Sequence, residues 1–238
     1  MKQHSSGFVI GIVAAIILGF GVVAGVFLGL RSVQGLGYEP AVLQANKTGT
    51  NSATLDLSTF PDSQVCHADQ GNPQINWVTY CPSTTFEVPA NSLITVVIKQ
   101  YDSASGLYND FFQRVQGTVG GVAMYNNKPM TQIKADDAAH TFTIQSRPDE
   151  ANPIFVSVPL LGVADDAPSN TNVTGIDGNQ YQYPAPNVIQ FQFRTGPAGH
   201  TYIWHCYVPC GNDKESPYGF SGPMSTTGYM AGTITVTN

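Results

Sequence analysis

From Phe8 to Leu30 the chain reads FVIGIVAAIILGFGVVAGVFLGL, without one charged residue. No other stretch restricts its fate so strongly. At about 1.5 Å per residue a helix over this run is roughly 35 Å long, slightly more than a bilayer's hydrocarbon core. A signal peptide carries a shorter apolar region, about 7–15 residues, and no A-x-A-like cleavage site comes after this one. The run therefore predicts a single N-terminal transmembrane helix over residues 8–30, behind a short cytoplasmic tail at residues 1–7. Lys2 before the span and Arg31 after it mark orientation only weakly. The four cysteines and the sequons Asn46-Lys47-Thr48 and Asn172-Val173-Thr174 favour an extracytoplasmic C-terminal part. The expected location is the plasma membrane, crossed once.

Beyond the anchor the chain is sparing in charge. Lys and Arg number 10 against 16 Asp and Glu over the whole sequence, for a net charge of −6. That removes the basic footprint nucleic-acid binding requires. With 12 Phe, 11 Tyr and 2 Trp, the chain has ample material for a core. Residues 31–50, rich in Gly, Ala, Asn and Thr, read as a linker, and 51–238 as one extracytoplasmic domain. Strand signals dominate that domain: Thr84–Val88 and Ser92–Ile98 around a Pro-Ala-Asn turn, then Val119–Met124, His140–Gln145, Ile154–Val158, Val188–Phe193, Thr201–Tyr207 and Gly232–Val236. Two stretches, 159–186 and 211–229, are irregular and too long for simple hairpins. Many short strands without helical periodicity predict an all-β Greek-key sandwich or barrel.

Five His, four Cys and five Met keep the list of reactive side chains short. Three segments stand out. Asp137-Ala138-Ala139-His140 delivers a histidine at the start of a strand. Tyr202-Ile203-Trp204-His205-Cys206-Tyr207-Val208-Pro209-Cys210-Gly211 is a strand entering a C-x-x-x-C turn. Met230-Ala231-Gly232-Thr233-Ile234-Thr235-Val236 places a methionine before the last strand. An imidazole, thiolates and a thioether are borderline-to-soft ligands that suit copper, whereas Mg²⁺ and Ca²⁺ take oxygen. Held on loops at one end of a rigid sandwich, such ligands suit a redox carrier.

In these residues the chain resembles the cupredoxin family, and in particular subunit II of haem-copper terminal oxidases. There a D-x-x-H loop, a strand ending in C-x-x-x-C-G and an M-x-G-x-I-x-V strand occur in the order seen here as Asp137…His140, Cys206…Cys210-Gly211 and Met230…Val236. The N-terminal anchor fits the same pattern. The resemblance implies a cupredoxin-like fold and a membrane-anchored electron-transfer protein, relaying single electrons in a respiratory chain. It implies one or two copper ions held by His140, Cys206, Cys210 and Met230. His205 and Met224, at positions the motif does not predict, are the less favoured metal candidates. Its partners would be the membrane and a redox protein or oxidase subunits, and it would be a component of an oxidoreductase complex rather than a stand-alone enzyme.

The family's second histidine, three residues before the methionine, is replaced by Thr227, and no histidine lies between Gly211 and Tyr229. The rival reading is a copper-free, disulfide-bonded cupredoxin-fold subunit with a structural or interaction role, and a third is copper delivery or storage. Cys206 and Cys210 are open to both thiolate ligation and a disulfide. Cys66 and Cys81, flanking Gly71, Asn72 and Pro73, read as a structural disulfide contributing about 3 kcal/mol by loop closure. His205 alternates onto the face opposite Cys206. His67 and His200 read as surface residues. No G-x-S-x-G, H-E-x-x-H, P-loop or G-x-G-x-x-G motif occurs.

Overall fold

The computed structural model describes residues 12, 15–26, 40–67, 76–211, 219–224 and 226–238. Residues 15–26 are helical with every side chain exposed, Leu18, Phe20 and Val23 among them. Among the described residues no helix is long and apolar enough to cross a membrane. The remainder of the 8–30 span, the 1–7 tail and residues 31–39 lie outside the described residues.

Strand β1 (Val42–Gln44) and β2 (Asn46–Gly49) precede the long β3 (Ser52–Phe60). A helical turn, Gln64–His67, is followed by β4 (Thr79–Cys81), β5 (Thr85–Pro89) and β6 (Leu93–Gln100). Next come β7 (Ala123–Tyr125), β8 (Lys128–Met130), β9 (Ala138–Gln145), β10 (Phe155–Leu161), β11 (Thr171–Thr174) and β12 (Gln180–Tyr183). The chain closes with β13 (Asn187–Arg194), β14 (Thr201–His205) and β15 (Ala231–Thr237). One sheet has the order β1-β5-β15-β14-β9-β10, and the other β2-β3-β6-β13-β7-β8, with β4 paired to β3. The chain passes between the two sheets repeatedly, and most sheet neighbours are distant in sequence, as in a Greek-key sandwich.

Alternation explains the layers. In β13 Ile189, Phe191 and Phe193 are buried while Gln190 and Arg194 are exposed. In β6 the inward set is Ile94, Val96, Ile98 and Gln100. The apolar members of both sets meet Phe142, Ile144, Tyr202 and Trp204 of the facing sheet in one shared core. The rings of Phe142 and Phe191 join the two layers, with centroids 5.9 Å apart.

Three segments depart from the sequence reading. Residues 42–49, read as the end of the linker, form β1 and β2; β1 lies parallel to β5, with Leu43 opposite Phe86. Length hid this, because strands of three and four residues are too short to show a period-two pattern, and their neighbours supply the hydrogen bonds. Val119–Gly121 is a 3-10 turn, with Gly120 and Gly121 at positive φ, so the strand expected from Val119 begins only at Ala123. The 159–186 stretch holds the end of β10 and an antiparallel hairpin, β11–β12, that forms a sheet of its own. Tyr183 of this hairpin packs on Phe60 and Tyr101, with centroids 4.8 and 5.8 Å away. Of the 211–229 stretch, the described part contains the 3-10 turn Gly222–Met224 and bridges from Gly211 to Phe220 and from Thr227 to Ala231. Cys66 and Cys81 form the expected disulfide, tying the helical turn to β4 with a Cα–Cα distance of 5.9 Å.

Candidate metal centre

β9 and β14 run antiparallel, pairing Ile144 with Trp204 and Thr143 with His205. Strand alternation puts His140 on the same side of β9 as Phe142 and Ile144, which face the core. It puts Cys206 on the same side as Tyr202 and Trp204. His140 and Cys206 are both buried, at one end of the sandwich interior. Cys210 returns to the same place through the turn after Cys206, where its N–H donates to the Val208 carbonyl at 2.8 Å. The glycine beside it is required by close approach: a Cβ on Gly211 would lie 1.9 Å from the Ser221 carbonyl oxygen.

The result is a compact triad. His140 Nδ1 lies 3.2 Å from Cys210 Sγ and 3.9 Å from Cys206 Sγ. The two sulfurs are 3.6 Å apart, and both thiols are free, so the C-x-x-x-C turn does not close a disulfide. All three potential ligand atoms fall within 4.8 Å of one another. Thr141 N–H donates to Cys206 Sγ at 3.4 Å.

The other sequence candidates divide. Met230 is buried beside the triad: its carbonyl accepts the Cys206 N–H at 2.9 Å, and its own N–H donates to the Pro223 carbonyl at 3.2 Å. Met224 is buried in the main core on its 3-10 turn. His205 is half-buried on the opposite face from Cys206, as alternation predicts, and is not part of the triad. Thr227 is exposed. His200, half-buried, pairs with Glu150 at the far end of β14. The side chain of His67 lies outside the described residues.

One side chain in contact with the triad escaped the sequence reading. Asp102 Oδ2 lies 3.1 Å from His140 Nε2, with only 13% of the Asp102 side chain exposed. A signal for it exists. The inward alternation Ile94, Val96, Ile98, Gln100 continues by one more step of two to Asp102, which brings a carboxylate from the opposite sheet to the triad.

The titratable groups of the cluster act on one another. Burial alone would lower the His140 pKa, but the hydrogen bond to Asp102 and the interaction with Cys206 push it up to about 9. Burial works against a thiolate at Cys206, yet the Cys210 thiol and His140 hold its pKa well below the usual thiol value. Cys210 is pushed the other way by burial and by its sulfur neighbour. The thiolate form of Cys206 and the charged form of His140 thus favour one another. Burial, with the two cysteines nearby, raises Tyr80, whose hydroxyl donates to the Thr141 carbonyl at 3.0 Å. Burial also lowers His205.

An aromatic series leads away from the triad. Tyr207, the residue after Cys206, stacks on Phe112 with centroids 4.3 Å apart and planes 5° from parallel. Phe112 meets Phe111 edge-on at 5.2 Å, and Phe111 is exposed.

No protein-family model matches the sequence, and no curated protein is significantly similar to it. Among solved structures, reduced rusticyanin shares 12% identity at a TM-score of 0.32, over 82% of this chain and 84% of that one. Rusticyanin from Thiobacillus ferrooxidans shares 12% identity at a TM-score of 0.27, over 84% and 96% of the two chains. Likenesses this loose assign no function, and the reading of the site rests on its own geometry.

Proposed function

We propose that the chain is a copper-binding electron carrier of cupredoxin type, tethered to a membrane and exchanging single electrons with a redox protein, as oxidase subunit II does. The observation that carries this reading is the buried convergence of one imidazole nitrogen and two free thiol sulfurs within 4.8 Å. Two sulfurs and a nitrogen in a preformed, largely dry pocket fit a soft transition metal and not an oxygen-seeking cation. His140, Cys206 and Cys210 would hold the ion, and Met230, hydrogen-bonded through its backbone to Cys206, is a thioether candidate. Copper bound there supplies a one-electron couple. The protein's part is to keep the ligands in place: two paired strands fix His140 and Cys206, and the Gly211 turn fixes Cys210. Burial excludes water, and the Tyr207–Phe112 stack offers an aromatic route from the ligand loop to the exposed ring of Phe111. The tether would be the apolar run 8–30, whose described residues 15–26 present exposed apolar side chains.

Copper titration of the full chain, followed by visible absorption, tests the site. Intense thiolate-to-copper charge-transfer bands are expected, and Cys206→Ser should abolish them. His140→Ala with undiminished copper stoichiometry would sink the assignment. So would the absence of free thiols in the denatured, metal-free chain, which favours instead a copper-free structural subunit with two disulfides. The tether has its own check: membranes washed with alkaline carbonate should retain the chain, and its release to the supernatant counts against a span.

A further inference from the structure

We propose that Asp102 is the positioning residue of this centre, holding the His140 ring so that Nδ1 faces the two sulfurs, and that the buried Gln100 amide aligns Asp102 for the task. The inference rests on the metal-centre reading and adds its control element, which comes from the opposite sheet.

The carboxylate has both oxygens assigned. Oδ1 accepts the Ser103 N–H at 2.8 Å, and Oδ2 meets His140 Nε2 at 3.1 Å. Two partners in different directions fix the plane of the carboxylate, and the fixed plane aims at one ring nitrogen. A carboxylate on the outer nitrogen of a ligand imidazole keeps the proton there, leaves the inner nitrogen's lone pair free for a metal, and makes that nitrogen a better donor.

Behind Asp102 stands Gln100, fully buried at the end of β6. Its Oε1 accepts the Asp102 N–H and, at 3.1 Å, the Thr59 hydroxyl. Its Nε2 donates to the Asp102 carbonyl at 2.7 Å and reaches the Leu161 carbonyl at 3.4 Å. One side-chain amide thus grips the backbone of Asp102 from both sides where the β6 ladder ends. Val163 N–H adds a bond to the same carbonyl at 2.9 Å. A buried amide with its bonds so completely taken up costs little to bury and resists rotation. The chain Thr59–Gln100–Asp102–His140 therefore transmits the rigidity of the second sheet to a ligand on the first.

The test loads the full chain, Asp102→Ala and Asp102→Asn with zinc(II) as a diamagnetic probe. It reads zinc affinity by chelator competition and the His140 ring by nitrogen-15 NMR. Asp102→Ala is expected to bind zinc about 10–100-fold more weakly and to lose a slowly exchanging Nε2–H signal. Asp102→Asn, which keeps an acceptor oxygen but no charge, should recover the signal and part of the affinity. In the copper-loaded protein the same variant should have a higher reduction potential than wild type, because a negative charge that favours the oxidised ion is gone. Wild-type binding with unchanged affinity and ring signal in Asp102→Ala overturns the positioning role alone. If Asp102→Ala does not fold, an unchanged potential in Asp102→Asn does so. A wild-type chain that takes up neither zinc nor copper overturns the metal centre and this proposal together. Gln100→Leu should weaken zinc binding as well, and an unchanged affinity there removes Gln100 from the proposal.

Discussion

At Gly232 a side-chain carbon would sit 1.8 Å from the Thr84 carbonyl oxygen and 2.8 Å from Trp204 Nε1. The indole N–H donates to that same carbonyl at 2.9 Å, so β15, β14 and the entry to β5 meet at one atom. Gly232→Ala is expected to cost about 3 kcal/mol through overpacking, read as a lowered urea midpoint at unchanged slope. A shift under a third of that would mean the strands yield more easily than the geometry allows. The glycine of the M-A-G motif is therefore a packing requirement, whereas the methionine beside it belongs to the neighbourhood of the triad. His140, Cys206 and Cys210 were legible as candidates because imidazole and thiol are scarce in this chain and fall in a recognisable order. Asp102 was not, because one Asp among many carries no compositional signal. Only the continuing alternation of β6 distinguishes it.

Among the elements, β4 carries more than its three residues suggest. The Cys66–Cys81 bridge, 15 positions in sequence separation, ties its end to the helical turn. Next to Cys81, Tyr80 is buried with its ring centroid 4.7 Å from that of Trp204 and its hydroxyl on the Thr141 carbonyl. Replacing both cysteines by serine removes the loop-closure constraint on the unfolded chain. A loss of about 3 kcal/mol is expected, seen as a lower melting temperature of the doubly substituted chain. An unchanged temperature would show that the unfolded chain keeps this loop closed without the bridge. The strands around the site, β9, β14 and β15, could be read in the sequence since each carries β-branched or aromatic residues in runs. β1, β2, β11 and β12 could not. They are short and stabilised by the strands beside them, so their order comes from pairing rather than from propensity.

At the level of the whole molecule, the two sheets share one apolar core that runs up to the triad. Burial of that many apolar side chains is expected to hold the fold together without a bound metal. Chelation is expected to leave the far-UV circular dichroism unchanged while lowering the melting temperature. Free metal at a thousand times its dissociation constant adds about 4 kcal/mol. Loss of β-signal on chelation would instead make the metal a condition of folding. The sequence by itself determined the β class, the apolar N-terminal run, the disulfide and three of the ligand candidates, because period-two patterning and rare side chains are local properties of a chain. Only the tertiary structure decided that the C-x-x-x-C cysteines stay unbonded and lie beside His140, and that Asp102 stands behind the histidine. Those facts depend on how β6 of one sheet ends against β9 and β14 of the other, and register between separate sheets is a balance of packing that no single stretch of sequence contains.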